Sequence, residues 1–157
     1  MEYKTAEESR VTLTQLMGPG SANVLGNVHG GYIMKLCDEA GGMAATKHAR
    51  NAAVTVAVDS MTFHSPVHIG NLVTVTAEVT WTGQTSLETR VVVTAEDVLS
   101  GQVTHTNTAF FVYVALGKDG RPTKVPELIC ATDTERARMK RAADRQAYRL
   151  SQRNQGL

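Results

Sequence analysis

Residues 22–48 read ANVLGNVHGGYIMKLCDEAGGMAATKH, and the rest of the chain is organised around them. The first third is turn-rich, with Asn23, Asn27, His29 and the Gly30-Gly31 pair. From Tyr32 to about His48 the pattern becomes helical. Ile33, Leu36, Cys37, Ala40 and Ala44 fall on one stripe, and Met34, Gly41 and Ala45 widen it. A helix apolar over most of its circumference is a buried one. Gly41-Gly42 weakens it by about 1 kcal/mol per glycine relative to alanine. That cost is accepted where something approaches the backbone closely, and two such helices packed at a dimer interface are one reason. Asp38 sits close to the apolar stripe, while Glu39 is turned about 100° away.

Working outward, residues 9–16 alternate as a half-buried strand, and Gly18, Pro19 and Gly20 break it. Downstream, 53–63, 72–81, 86–97 and 103–116 read as four long strands. The turns between them fall at His64–Asn71, Thr82–Thr85 and Val98–Gly101, and Lys118–Pro122 is a surface turn. Residues 132–153 form a polar, Arg-rich helix that Thr132-Asp133 can cap. Strands in tight succession predict an α+β fold, a mostly antiparallel sheet curled around one long central helix, with a charged helix trailing at the C-terminus.

A length of 157 residues with 42% hydrophobic content suits one sizeable core. The formal net charge of +1 offers no global field for nucleic acid or membrane. Residues 133–153 nevertheless carry seven Lys/Arg against three Asp/Glu. Nucleic-acid binding wants interleaved aromatics and the run has only Tyr148, so it reads as a solvated face. No apolar run reaches the roughly 20 residues needed to span a bilayer, and the polar N-terminus is not a signal peptide, so a cytoplasmic protein is expected. Cys37 and Cys130 are far apart, and Cys37 belongs to the apolar stripe. Five scattered histidines show no zinc spacing, so no metal is expected.

Asp38 is the residue bland folding explains least. A carboxylate among apolar neighbours must find donors or take up a proton, and that is how a general base is made. The alternative is an acid at the helix edge that pairs or solvates. Asn23 and Asn27 suit turns, and their amides also suit a carbonyl oxygen or a water. Gly30-Gly31 ahead of the helix leaves backbone N–H groups available to an anion or a developing oxyanion.

These residues resemble a known family. Ala22–Gly31 followed by Met34–Gly42 is similar to the hot-dog-fold acyl-CoA thioesterases, and closest to the cytosolic acyl-CoA hydrolases and their bacterial broad-specificity relatives. Val58–His64, the Thr82–Ser86 turn, Ala109–Val114 and the passage from Val125-Pro126 into a charged helix agree with it. The resemblance implies residues 1–130 as the hot-dog domain and 131–157 as a basic C-terminal helix and tail. It implies paired subunits, dimers that often form hexamers (a trimer of dimers), and a site between subunits that hydrolyses acyl-CoA without a cofactor.

Residue by residue, the resemblance puts Asn23 at the catalytic asparagine and Asp38 at the acid facing it from the other chain, with Asn27 a poorer substitute for Asn23. The acidic pair the family often carries ahead of the asparagine is replaced here by Gly20-Ser21. Substrate contacts then fall to His29, Gly30 and Gly31 at the helix start. The acyl slot falls to Met34, Met61 and Phe63. The CoA phosphates fall to His64, Ser65, Pro66, Thr85 and Ser86, with Arg90 or the tail arginines. A non-catalytic acyl-CoA sensor is the second reading. A hydratase, which would need a His–Asp pair built on His29, is the third.

Overall fold

A computed structural model describes residues 3–155. In chain order the elements are β1 (Tyr3–Thr5), α1 (Ala6–Ser9), β2 (Val11–Leu16), a 3-10 turn (Pro19–Ser21), α2 (Gly30–Ala49), β3 (Ala52–Phe63), β4 (Leu72–Thr82), β5 (Ser86–Glu96), β6 (Val103–Leu116), β7 (Glu127–Ile129) and α3 (Asp133–Arg153). Five strands form one antiparallel sheet in the order β2-β4-β5-β6-β3, wrapped around α2.

The predicted strand–helix–four strands–helix order matches this architecture. The exceptions are short. β1 and β7 pair in parallel over three residues each, and α1 is a single turn. Thr5 N–H donates to Glu8 Oε2 at 2.7 Å and caps that turn.

The sheet can wrap α2 closely because the facing stripe is small. Cys37, Ala40, Ala44 and Ala45 are fully buried, as are Ile33 and Leu36 nearly so. Val73, Val75, Ala77 and Val79 of β4 and Leu87, Val91 and Val93 of β5 pack on the same core, each from alternate positions of its strand. The expectation that α2 is covered all round fails within one chain. Met34 and Met43 remain 41% and 43% exposed, because the sheet covers only one side. α2 also starts two residues earlier than expected, since His29 caps it.

The Arg-rich α3 is fastened to the outer side of the sheet. Arg138 bonds Glu78 Oε1 at 2.9 Å, Arg145 holds Glu88 through both oxygens at 2.8 and 3.0 Å, and Arg149 bonds Asp59 at 2.9 Å. Arg138, Arg145 and Arg149 thus recur on one helical face. Arg145 also lies 3.7 Å above the Phe110 ring. The helix begins with Thr132 Oγ1 accepting from Glu135 N–H, as its sequence predicts. These arginines are therefore structural clamps, where sequence reading offered a solvated face or phosphate ligands.

His48 closes the other end of the molecule. It is fully buried, and its Nε2 lies 2.9 Å from Pro126 O. Burial pushes its pKa below the ordinary 6.5, so it is a neutral donor to that carbonyl. The unfolded chain, with the ordinary value, takes up this proton first on acidification. Stability is therefore expected to fall as pH drops below about 6.5, by at most about 1.4 kcal/mol per pH unit from this group. Urea midpoints from pH 7.5 to 5 should fall less steeply for His48→Gln than for the wild type.

Candidate active site

Asp38 projects from the exposed side of α2 into a cavity of about 420 Å³, lined also by Val11, Gly42, Met43, Thr46, Ala53, Thr55 and Tyr113. Its Oδ1 accepts from Thr55 Oγ1 at 2.6 Å and from Tyr113 OH at 3.0 Å. Among the described residues, nothing donates to Oδ2. One carboxylate oxygen is thus anchored and the other is open to the cavity. Glu39 lines the same cavity beside Asp38, but it is exposed and its carboxylate lies 3.6 Å from Lys35 Nζ.

Thr55 and Tyr113 were not among the sequence candidates. They are direct partners across the β3–β6 ladder. The ladder is interrupted just after them, at Val56, and a bulge there sharpens the local twist beside Asp38. A second bulge, at Asp59, accompanies the contact with Arg149. A threonine in a Val/Thr strand and a tyrosine in an apolar one carry no periodic signal. The legible clue was Gly41. A Cβ there would stand 2.6 Å from Tyr113 OH and 2.8 Å from Thr89 Oγ1. The close approach that glycine implied is therefore made by a tyrosine of the same chain; sequence reading had suggested a partner helix.

Asn23 lies in a second cavity, about 270 Å³, with Asn27, Gly30, Phe63, His64, Ser65 and Pro66. Gly30, Phe63, His64, Ser65 and Pro66 therefore meet Asn23 and its substitute Asn27 there, with Asp38 outside the group. Asn23 Oδ1 accepts from Leu25 N–H at 2.9 Å and Asn27 N–H at 3.1 Å, closing a tight loop on Gly26 at φ 79°. With two N–H groups aimed at it, that atom is the oxygen, and the Nδ2 amide group is the end left to serve a ligand. Asn27 is engaged with His68 Nδ1 at 3.0 Å.

At the start of α2, His29 Nδ1 accepts from Gly31 N–H at 2.9 Å. Gly31 is therefore not the free donor its position suggested. Among the described residues, Gly30 N–H keeps no partner.

The other candidates lie elsewhere. Met61 is half-buried against the core, and Met34 is exposed on α2. Thr85 O and Ser86 O accept from Ala115 N–H and Gly83 N–H at the C-terminal end of α2. The His64–Pro66 segment is at the N-terminal end, about 30 Å away along a 20-residue helix. Arg90 points to the outer side of the sheet, 4.0 Å from Glu78 and close to Arg138. One chain does not bring Thr85, Ser86 or Arg90 to either cavity. Among the described residues, no helix is long and apolar enough to cross a membrane.

Comparison with known proteins accords with this geometry. The sequence model of the thioesterase superfamily matches residues 25–102. The rat cytosolic acyl coenzyme A thioester hydrolase is 36% identical over 146 residues, 92% of this chain; the chain spans only 38% of that protein's length. Protein VdlD of Helicobacter pylori is 33% identical over 92% of this chain and 83% of its own. An apo hexameric acyl-CoA thioesterase superposes with a TM-score of 0.92 at 33% identity, over 97% of both chains. An acyl-CoA hydrolase from Staphylococcus aureus, solved with butyryl coenzyme A, coenzyme A and coenzyme A disulfide, has a TM-score of 0.90 at 27% identity, over 98% of this chain and 93% of its own. Variants of that enzyme carry alanine at an asparagine, at an aspartate 15 positions later, and at a threonine a further 17 positions on. A helix-wrapping sheet of this topology and relatives of this identity lead to one conclusion: the chain belongs to the thioesterase superfamily, among its hot-dog-fold acyl-CoA thioester hydrolases.

Proposed function

We propose that the protein hydrolyses acyl-CoA thioesters to a carboxylic acid and CoA, at a site completed by two subunits. The observation that carries this reading is Asp38 itself, held at Oδ1 by Thr55 and Tyr113 and open at Oδ2. The spacing of the substituted residues in the Staphylococcus aureus enzyme supports it. Asn23, Asp38 and Thr55 stand at the same two separations.

The need for two subunits follows from length. Gly30 and Asp38 are eight residues apart on one helix, about 12 Å along its axis. Donors at the helix start and the acid at its middle are too far apart to serve one carbonyl from the same chain. Asn23 and Gly30 of one protomer would face Asp38 of the other. The hexameric relatives support such assembly. The outer edge of β3, unpaired among the described residues, together with the exposed Val54, Val56 and Val58, gives it a surface.

In the reaction, Asp38 Oδ2 takes a proton from water as the water oxygen bonds to the thioester carbonyl carbon. The carbonyl electron pair moves onto oxygen, where Gly30 N–H and the Asn23 amide donate to it. Collapse re-forms the carbonyl and breaks the C–S bond. The proton held by Asp38 passes to the departing sulfur, and Asp38 is again a carboxylate. No cofactor is needed beyond the CoA of the substrate. Phe63 and the His64–Pro66 segment line the side from which the substrate meets Asn23. The cytosolic rat relative supports the cytosol as the compartment.

The test is release of CoA thiol from a panel of acyl-CoAs of increasing chain length. Turnover on at least one member is expected. Tight binding with no turnover across the panel would overturn the reading and leave a sensor in its place.

A further inference from the structure

We infer that Tyr113 is a positioning residue for Asp38, and that Gly41 is the gap through which its hydroxyl reaches the helix. The inference rests on Asp38 acting as the base. Tyr113 is 1% exposed, inside the core and stacked near Phe111. Packing alone would be satisfied by phenylalanine, and a buried hydroxyl is costly without a partner. The partner here is a single residue twice over. Tyr113 OH lies 3.1 Å from the backbone carbonyl of Asp38 and 3.0 Å from its carboxylate Oδ1. An oxygen that touches both ends of one residue fixes how the side chain is folded against the helix.

The glycine opposite it marks this contact as built. A mid-helix glycine forgoes about 1 kcal/mol of helix propensity. At Gly41 any Cβ would collide with Tyr113 OH and Thr89 Oγ1, whereas at Gly42 a Cβ would meet Tyr113 Cε1 at an ordinary 3.6 Å. Only one glycine of the pair is therefore required by the tyrosine. Burial, and then the nearby Asp38, pushes the Tyr113 phenol far above its ordinary pKa. The phenol thus stays protonated and donating wherever Asp38 is ionised. Thr55 donates to the same Oδ1 from the adjacent strand, so the two hydroxyls together turn Oδ2 toward the cavity.

The experiment uses the full-length assembled protein and the acyl-CoA that the wild type hydrolyses best. Tyr113→Phe keeps the ring and should lower kcat by about ten- to a hundredfold, the range of a hydrogen bond to a charged group. KM should move little. The acid limb of the kcat/KM profile should shift to higher pH, because the ionised carboxylate loses a donor. In an Asp38→Asn background the same substitution should change nothing further. Gly41→Ala should move the acid limb in the same direction. That second variant keeps the question open to measurement if Tyr113→Phe folds poorly. An active wild type whose Tyr113→Phe or Gly41→Ala variant keeps both kcat and the acid limb would overturn this inference alone. An inactive wild type would overturn the proposed reaction itself, and the inference with it.

Discussion

Asp38→Asn is expected to lower kcat on acyl-CoA by about 10²- to 10⁴-fold, the usual contribution of a positioned general base. Binding of free CoA should stay within a few-fold of wild type. The substitution is close to isosteric. The amide oxygen can still accept from Thr55 and Tyr113, so the helix surface and the hydroxyls beside it are undisturbed. What is lost is at the other atom. An NH₂ group in place of Oδ2 has no lone pair for the proton of water. Thiol-release kinetics give kcat, and calorimetry with CoA gives the binding. Activity that survives the change would remove Asp38 from the chemistry. It would also make Glu39, which lines the same cavity, the next carboxylate to substitute.

Equal amounts of Asn23→Ala and Asp38→Ala protein, each nearly inactive alone, should regain about a quarter of wild-type activity after subunits exchange. Random pairing makes half of the dimers mixed. Each mixed dimer has one site with an intact asparagine from one chain and an intact aspartate from the other, and a second site with neither. The recovery follows from the separation of the two cavities. Asn23 shares space with Gly30 and Phe63, and Asp38 with Thr55 and Tyr113. Exchange can be followed with a size-tagged partner, and activity by thiol release. A mixture shown to have exchanged that stays inactive would mean each chain carries a whole site, contrary to the 12 Å argument.

The helix and its strands were legible because periodicity records burial. Ile33, Leu36, Cys37, Ala40 and Ala44 had to face one way, and they do. Periodicity does not record which face of a buried-looking helix awaits a second chain, so Met34, which widens the stripe, is exposed in the single chain. Asp38 stood out as a charge beside an apolar stripe. Thr55 and Tyr113 did not, since a threonine in a strand and a tyrosine in a core are ordinary residues. Their meaning comes from a cross-strand register that no local pattern encodes. Gly31 misled for a similar reason: which N–H its neighbour His29 would occupy is a matter of ring placement. The arginines of α3 became interpretable only beside their partners. Glu78 and Glu88, acids inside strands of otherwise apolar rhythm, were the available hint.

The bare flank of β3 matters before any chemistry begins. A newly made chain that has folded but not yet met its mate displays a twelve-residue strand with its outer N–H and C=O groups unsatisfied and valines beside them. Such a margin invites any stray strand to zip onto it. The interruptions at Val56 and Asp59 break it into short runs that a wrong neighbour cannot follow far. The same irregularity that sits beside Thr55 therefore also guards the solitary protomer.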